Sequence, residues 1–189
     1  MSPGLNADEN KVSRQALLSG LDAQFASDCR VLVLGSTPGA ASLQAQRHYA
    51  HPRNRFWPVM SALLALDGSA DYADRLAGLQ ACGVGLWDVI ARCERSGSLD
   101  ATIRRASIVA NPLPEAIASL PALRAVACNG AEAHRAWQRH VADRLPAPAR
   151  DLPVLALPST SPANAACSAA QLRQAWSAIL PYLEPAARR

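Results

Sequence analysis

The sequence contains no CxxC pair. Its five cysteines, Cys29, Cys82, Cys93, Cys128 and Cys167, follow no metal-ligand spacing. An odd, unpaired set is expected of a reduced, cytoplasmic chain and argues against a disulfide scaffold, a zinc ribbon or an iron–sulfur protein. No apolar run reaches the ~20 residues that a membrane span needs. The opening residues, MSPGLNADEN, lack the basic start and apolar centre of a secretory leader. G-x-G-x-x-G is absent, which removes the dinucleotide-binding signature. No internal repeat is found, and no linker separates two domains.

The 189 residues are half hydrophobic, enough for one domain with a real core. We expect a loose tail over residues 1–12 and a single domain over 13–185. The net charge is +4 at pH 7, and most of the positive charge is arginine. Arginine forks onto phosphates, so a nucleic-acid partner is permitted; an arginine-rich solvated surface explains the balance equally well.

Strand and helix patterns alternate along the chain. A helix is expected over 13–26, with Leu17, Leu18, Leu21 and Phe25 on one face. The run Val31-Leu32-Val33-Leu34 has the length and β-branched content of a buried strand. A helix begins near Arg55, because Pro58 is tolerated only in a first turn. Further helices are expected over 71–81, after an Asn111 cap, over 131–143, and after the Ser168/Gln171 capping box. Further strands are expected over 84–90, 124–128 and 153–157. This alternation predicts an α/β protein, a three-layer α/β/α sandwich around a four-stranded parallel sheet.

The richest stretch follows the first strand. Gly35-Ser36-Thr37-Pro38-Gly39 breaks the chain sharply, and Tyr49-Ala50-His51-Pro52-Arg53-Asn54-Arg55-Phe56-Trp57 crowds amides, rings and basic groups together. Open α/β sheets bind ligands at the carboxyl ends of their strands, where this loop falls. Its composition suits a flat polar ligand carrying a phosphate.

These two segments resemble the uracil-DNA glycosylase superfamily, closest to its hypoxanthine-DNA and mismatch-specific branches. The resemblance covers roughly residues 28–183, and the HPxNxFW segment is its most specific part. It implies the sandwich fold and hydrolysis of an N-glycosidic bond in DNA. No cofactor and no metal are implied, and the expected partner is DNA containing a deaminated base. We expect a monomer, with no membrane association, acting in the cytoplasm on nucleoid DNA. The mismatch-specific branch carries a catalytic Asn at the third position of the turn, where this chain has Thr37. The hypoxanthine branch uses the Asn of HPRN, here Asn54. That difference moves the expected substrate from uracil to hypoxanthine.

Chemistry assigns the roles. A glycosylase flips a nucleotide, stacks and reads its base, places a water and stabilises the departing base. Asn54 and Thr37 are the candidate catalytic residues. Asn54 would orient the water through its side-chain carbonyl, or cap the following helix. Ser36, Tyr49 and Asp88 are candidate base contacts, Tyr49 by stacking and Asp88 by accepting a purine N–H. His51, Ser159, Thr160 and Ser161 are candidate DNA contacts. A wedge at Ala163 or Asn164 would be small. Phe56 and Trp57 are expected in the core. Three alternatives stay open: a uracil or mismatch glycosylase, a non-catalytic lesion binder, and a serine hydrolase using Ser36, although its turn is not G-x-S-x-G.

Overall fold

The computed structural model describes residues 17–184. The expected tail lies outside the described residues. Among the described residues seven strands form two sheets: β1 (Leu17–Ser19), β2 (Val31–Gly35), β3 (Val84–Asp88), β4 (Ile90–Glu94), β5 (Val109–Ala110), β6 (Ala125–Asn129) and β7 (Val154–Leu157). The larger sheet has four strands in the order β3-β2-β6-β7. Every pairing in it is parallel, as the alternating pattern predicts.

Side chains alternate across a strand, so each central strand feeds two cores. Val31 and Val33 of β2 face one cluster, together with Ala125 and Ala127 of β6. That cluster is closed by α2 (Phe56–Leu64), α3 (Tyr72–Ala81) and α6 (Ala169–Trp176) through Phe56, Met60, Leu79, Leu172 and Trp176. Leu32, Leu34, Val126 and Cys128 face the opposite way, onto α4 (Leu113–Ala118) and α5 (Ala131–His140). Continuous apolar strands are what a sheet covered on both faces requires. Phe56 and Trp57 are both buried, as expected.

Local signals placed several boundaries. Asp71 caps α3 by accepting from the Asp74 N–H, and Ser168 and Gln171 form the reciprocal capping box of α6. Other boundaries differ from expectation. Residues 17–26 are not helical: β1 pairs antiparallel with β4, and Gln24 exchanges both backbone hydrogen bonds with Leu86. The open edge of β3 and β4 supplies partners that helical spacing cannot reveal. Residues 13–16 of that expected helix lie outside the described residues. The strand expected over 84–90 ends at Asp88, and Ile90 begins β4 of a separate three-stranded sheet, β1-β4-β5. Asn111 does not cap α4. Its amide donates to the Asp88 carbonyl, and Pro112 holds the cap position. The short helix α1 (Ala40–Ala45) follows the turn after β2.

Candidate active site

The carboxyl ends of β3, β2, β6 and β7 open into one cleft of about 1190 Å³. Its walls bring together the turn after β2, the segment before α2 and the loop after β7. Ser36, Thr37, Tyr49, His51, Asn54, Asp88, Ser159, Thr160 and Ser161 all line it.

Asp88, at the end of β3, is only 5% exposed. Its Oδ1 sits over Gly35, where a Cβ would lie 2.3 Å away. Only glycine leaves the carboxylate that space. Its Oδ2 has no hydrogen-bond partner among the described residues and lies 3.7 Å from His48 Nδ1. His48 is itself buried, and its Nε2 is 3.1 Å from the Asp22 carbonyl. A carbonyl only accepts, so this contact places a proton on Nε2, and Nδ1 faces Asp88. Burial pushes the Asp88 carboxyl up from 3.8 to about 6; His48 and Arg95 pull it down, and Asp100 pushes it up.

Tyr49 adopts a left-handed backbone (φ 57°), uncommon for a residue with a side chain. Its ring stacks on Phe56 with centroids 4.0 Å apart, so one face is already covered. Its hydroxyl is buried without a hydrogen-bond partner among the described residues, and burial, with Asp88 next, raises its pKa far above the usual range. Tyr49 thus lines the cleft with one ring face covered by Phe56.

Asn54 precedes α2, and its Oδ1 accepts the Phe56 N–H at 2.9 Å. Its own N–H donates to the His51 carbonyl. The cap-like bond and the cleft position coexist, and the bond fixes the orientation of the amide. A carbonyl oxygen carries two lone pairs, so a second acceptor direction remains. His51 Nδ1 accepts the Arg53 N–H at 3.1 Å, which assigns Nε2 as the ring donor.

The Ser36 hydroxyl is committed to Asp100, donating to Oδ1 at 2.7 Å. Although Asp100 is a surface residue, its carboxyl faces inward; burial raises its pKa, with Ser36 and Arg95 opposing. Thr37 is half-buried beside Cys93. Burial raises that thiol, and Arg95 and the Thr37 side chain lower it. Arg95 is buried under the turn, with Nη2 donating to the Pro38 carbonyl at 2.5 Å.

The loop after β7 is cross-linked. Thr160 is fully buried and paired with Asn129: the Asn129 amide donates to its hydroxyl, and its N–H donates to Asn129 Oδ1, both at 2.9 Å. Gly130, at φ 100°, lets the chain turn beneath Ser159. Arg55 donates to the carbonyls of Asn164 and Cys167 and, from its backbone, to that of Thr160. Ser159 Oγ and Ser161 Oγ each accept a backbone N–H two residues on, leaving each hydroxyl proton free to donate outward. Thr160 thus holds the loop, while Ser159 and Ser161 present donors. Thr160→Val should cost about 1–3 kcal/mol by leaving the buried Asn129 amide unpaired. Urea denaturation measures this, and an unchanged midpoint would contradict it.

Sequence reasoning missed His48, Asp100 and Asn129. Asn129-Gly130 was legible as a strand end, but nothing local marks its partner. Among the described residues no helix is long and apolar enough to cross a membrane, and no three His, Cys, Asp or Glu side chains group as a metal site.

A three-layer α/β/α protein with a polar cleft at the carboxyl edge of its parallel sheet is the class that this fold and site define. The family model for the uracil DNA glycosylase superfamily matches residues 23–180. The chain belongs to that superfamily. It is 37% identical over 75 residues to a hypoxanthine DNA glycosylase of Methanosarcina barkeri, covering 39% of this chain and 48% of that one. It is 32% identical over 116 residues to a hypoxanthine DNA glycosylase of Methanosarcina acetivorans, 60% of this chain and 72% of the relative. A G/U mismatch-specific uracil DNA glycosylase of Schizosaccharomyces pombe is 30% identical over 86 residues, 44% of this chain and 26% of the relative. A solution NMR structure of a Methanosarcina acetivorans protein, provisionally named uracil DNA glycosylase, superposes with a TM-score of 0.74 at 27% identity. It covers 90% of this chain and 100% of that one.

Proposed function

We propose that the protein is a monofunctional DNA glycosylase that releases a deaminated base, hypoxanthine foremost, from DNA. The observation that carries this reading is the Asn54 amide, held at the cleft by its bond to the Phe56 N–H. The names of two relatives support hypoxanthine as the base.

In this reading the flipped nucleotide enters the cleft with its base on the free face of Tyr49. Deamination turns adenine's N1 acceptor into the N–H of a lactam. The Asp88 carboxylate would accept from that N1–H, a donor that adenine lacks at N1. Asn54 holds a water at C1′ through its side-chain carbonyl. The water oxygen bonds to C1′, the C1′–N bond breaks and the electron pair leaves on the base; the water gives up one proton and the base takes one up. Thr37 shapes the turn under the sugar. Ser159, Ser161 and the His51 Nε2–H donate to phosphates, which positions the strand without reading sequence. No cofactor is needed. The protein acts as a monomer on DNA in the cytoplasm.

A second reading, uracil release, draws on the mismatch-specific relative and on the similar N–H flanked by carbonyls in uracil. Oligonucleotides carrying hypoxanthine, uracil or xanthine, scored for alkali-labile abasic sites, separate the readings. Hypoxanthine should be released fastest. Tight binding with no release from any of them would instead make the protein a lesion binder.

A further inference from the structure

A second cavity lies outside the cleft. It is a groove of about 310 Å³ between α5 and the turn Arg105–Ser107. Arg105, Arg135, Arg139 and His140 line it, with Ile108 and Ala136 as apolar lining. Glu132 is the carboxylate in its wall, and it is already paired with Arg135. Among the described residues neither Arg105 nor Arg139 has an ion pair.

Gathering these cations is unfavourable for the protein by itself. Arg135 and Arg139 stand four residues apart on α5, where like charges repel. Arg105 comes to the same groove from a different segment. The carboxyl end of a helix favours a cation, which accounts for Arg139 but not for the other two. His140 registers the crowding: burial, then Arg139 and Arg144, holds its imidazole below the ordinary value. An anion in the groove removes the repulsion, and guanidinium groups fork onto phosphate oxygens.

The groove adjoins the cleft. Ala131 and His134 of α5 line the cleft, while Arg135 and Arg139 of the same helix line the groove. The Asp100 carboxyl at the cleft edge feels the charges of Glu132 and Arg135. From Ala131 to Arg139 the helix rises about 12 Å. One strand of a duplex places about three phosphates in that length. A strand bound in the cleft continues past its edge, and α5 is an edge that leads into cations. We propose that this groove holds phosphates of the DNA flanking the lesion, as a second contact area beyond the cleft. The inference rests on the glycosylase reading for the identity of the anion.

The test measures binding by fluorescence anisotropy across a range of salt. It compares wild type, Arg105→Gln/Arg139→Gln and Arg105→Lys/Arg139→Lys. The probe is a duplex carrying 2′-fluoro-deoxyinosine, a lesion nucleotide that resists cleavage. Both positions are exposed, so the fold should tolerate the changes. The double Gln variant should bind more weakly, and its plot of log affinity against log salt should be shallower by about 1.8, the share of two phosphate contacts. The double Lys variant should keep the wild-type slope. Trimming the duplex towards the lesion on one side should erase the difference between wild type and the Gln variant, and trimming the other side should leave it. Single-turnover release of hypoxanthine at saturating enzyme should be unchanged, because neither residue lines the cleft. An unchanged slope would overturn the groove as a strand contact. So would a difference that survives trimming of both flanks, the mark of net charge alone. If wild type releases no base, the glycosylase reading fails by itself, and the slope on the long duplex still decides: a shallower slope in the Gln variant supports the groove, and an equal slope rejects it.

Discussion

Asn54→Ala should slow single-turnover base release by roughly 10²-fold or more, the cost of removing a positioned polar group that acts in the transition state. DNA binding should change little, because the water is held tightly only as the sugar becomes electron-poor. The structure gives the side chain a second task, since Oδ1 also accepts the Phe56 N–H at 2.9 Å. Alanine therefore carries a stability cost of about 1 kcal/mol, typical of a lost cap. The two contributions separate cleanly. Thermal melting reads the lost bond to the Phe56 N–H, and single-turnover release in the folded fraction reads the lost carbonyl that would hold the water. Release at the wild-type rate under saturating Asn54→Ala would end the catalytic assignment and leave Thr37 and Asp88 to be tested.

Asp88→Asn should act on stability and activity in opposite directions. Burial raises the Asp88 carboxyl from 3.8 to about 6. A carboxyl whose pKa is raised by folding favours the folded state while protonated. That advantage is complete below the unfolded value and lost as pH rises through about 6. At pH 8 the buried carboxylate thus costs wild type up to about 3 kcal/mol. That figure already includes His48 and Arg95, which lower the value, and Asp100, which raises it. Asp88→Asn should therefore be more stable than wild type at pH 8, with the gap closing towards pH 4. A gap that does not change with pH would contradict the assignment. In the proposed reading the ionised form accepts the base N–H, so wild-type release should decline as pH falls below about 6. Asp88→Asn should be at least about tenfold slower, having exchanged a charge-assisted hydrogen bond for a neutral one. It should also lose the acid limb of the profile.

A fold selected for stability alone would not leave Oδ2 buried with no hydrogen-bond partner among the described residues and only His48 Nδ1 nearby, at 3.7 Å. Gly35 makes the same point from the other side, since any side chain there would collide with Oδ1.

What was legible in the sequence was what short-range physics encodes. The apolar run of β2, the Ser168/Gln171 box and Pro58 in the first turn of α2 each state their structure within a few residues. Strands alternating with helices then require parallel pairing, and parallel pairing puts the turn after β2 and the loop after β7 at one edge. The candidate residues could be gathered on that logic before any coordinates. Only the tertiary structure decided what each of them touches. The partners of Ser36 and Thr160 lie 64 and 31 positions away in the chain. His48 meets Asp88 only because β3 lies beside β2. The segment 17–26 carries helical spacing, yet the free edge of β3 and β4 claims its backbone. Periodicity and caps are read from neighbours in sequence. Burial, a raised carboxyl pKa and a hydroxyl's choice of acceptor come from neighbours in space, which exist only once the sheet has formed.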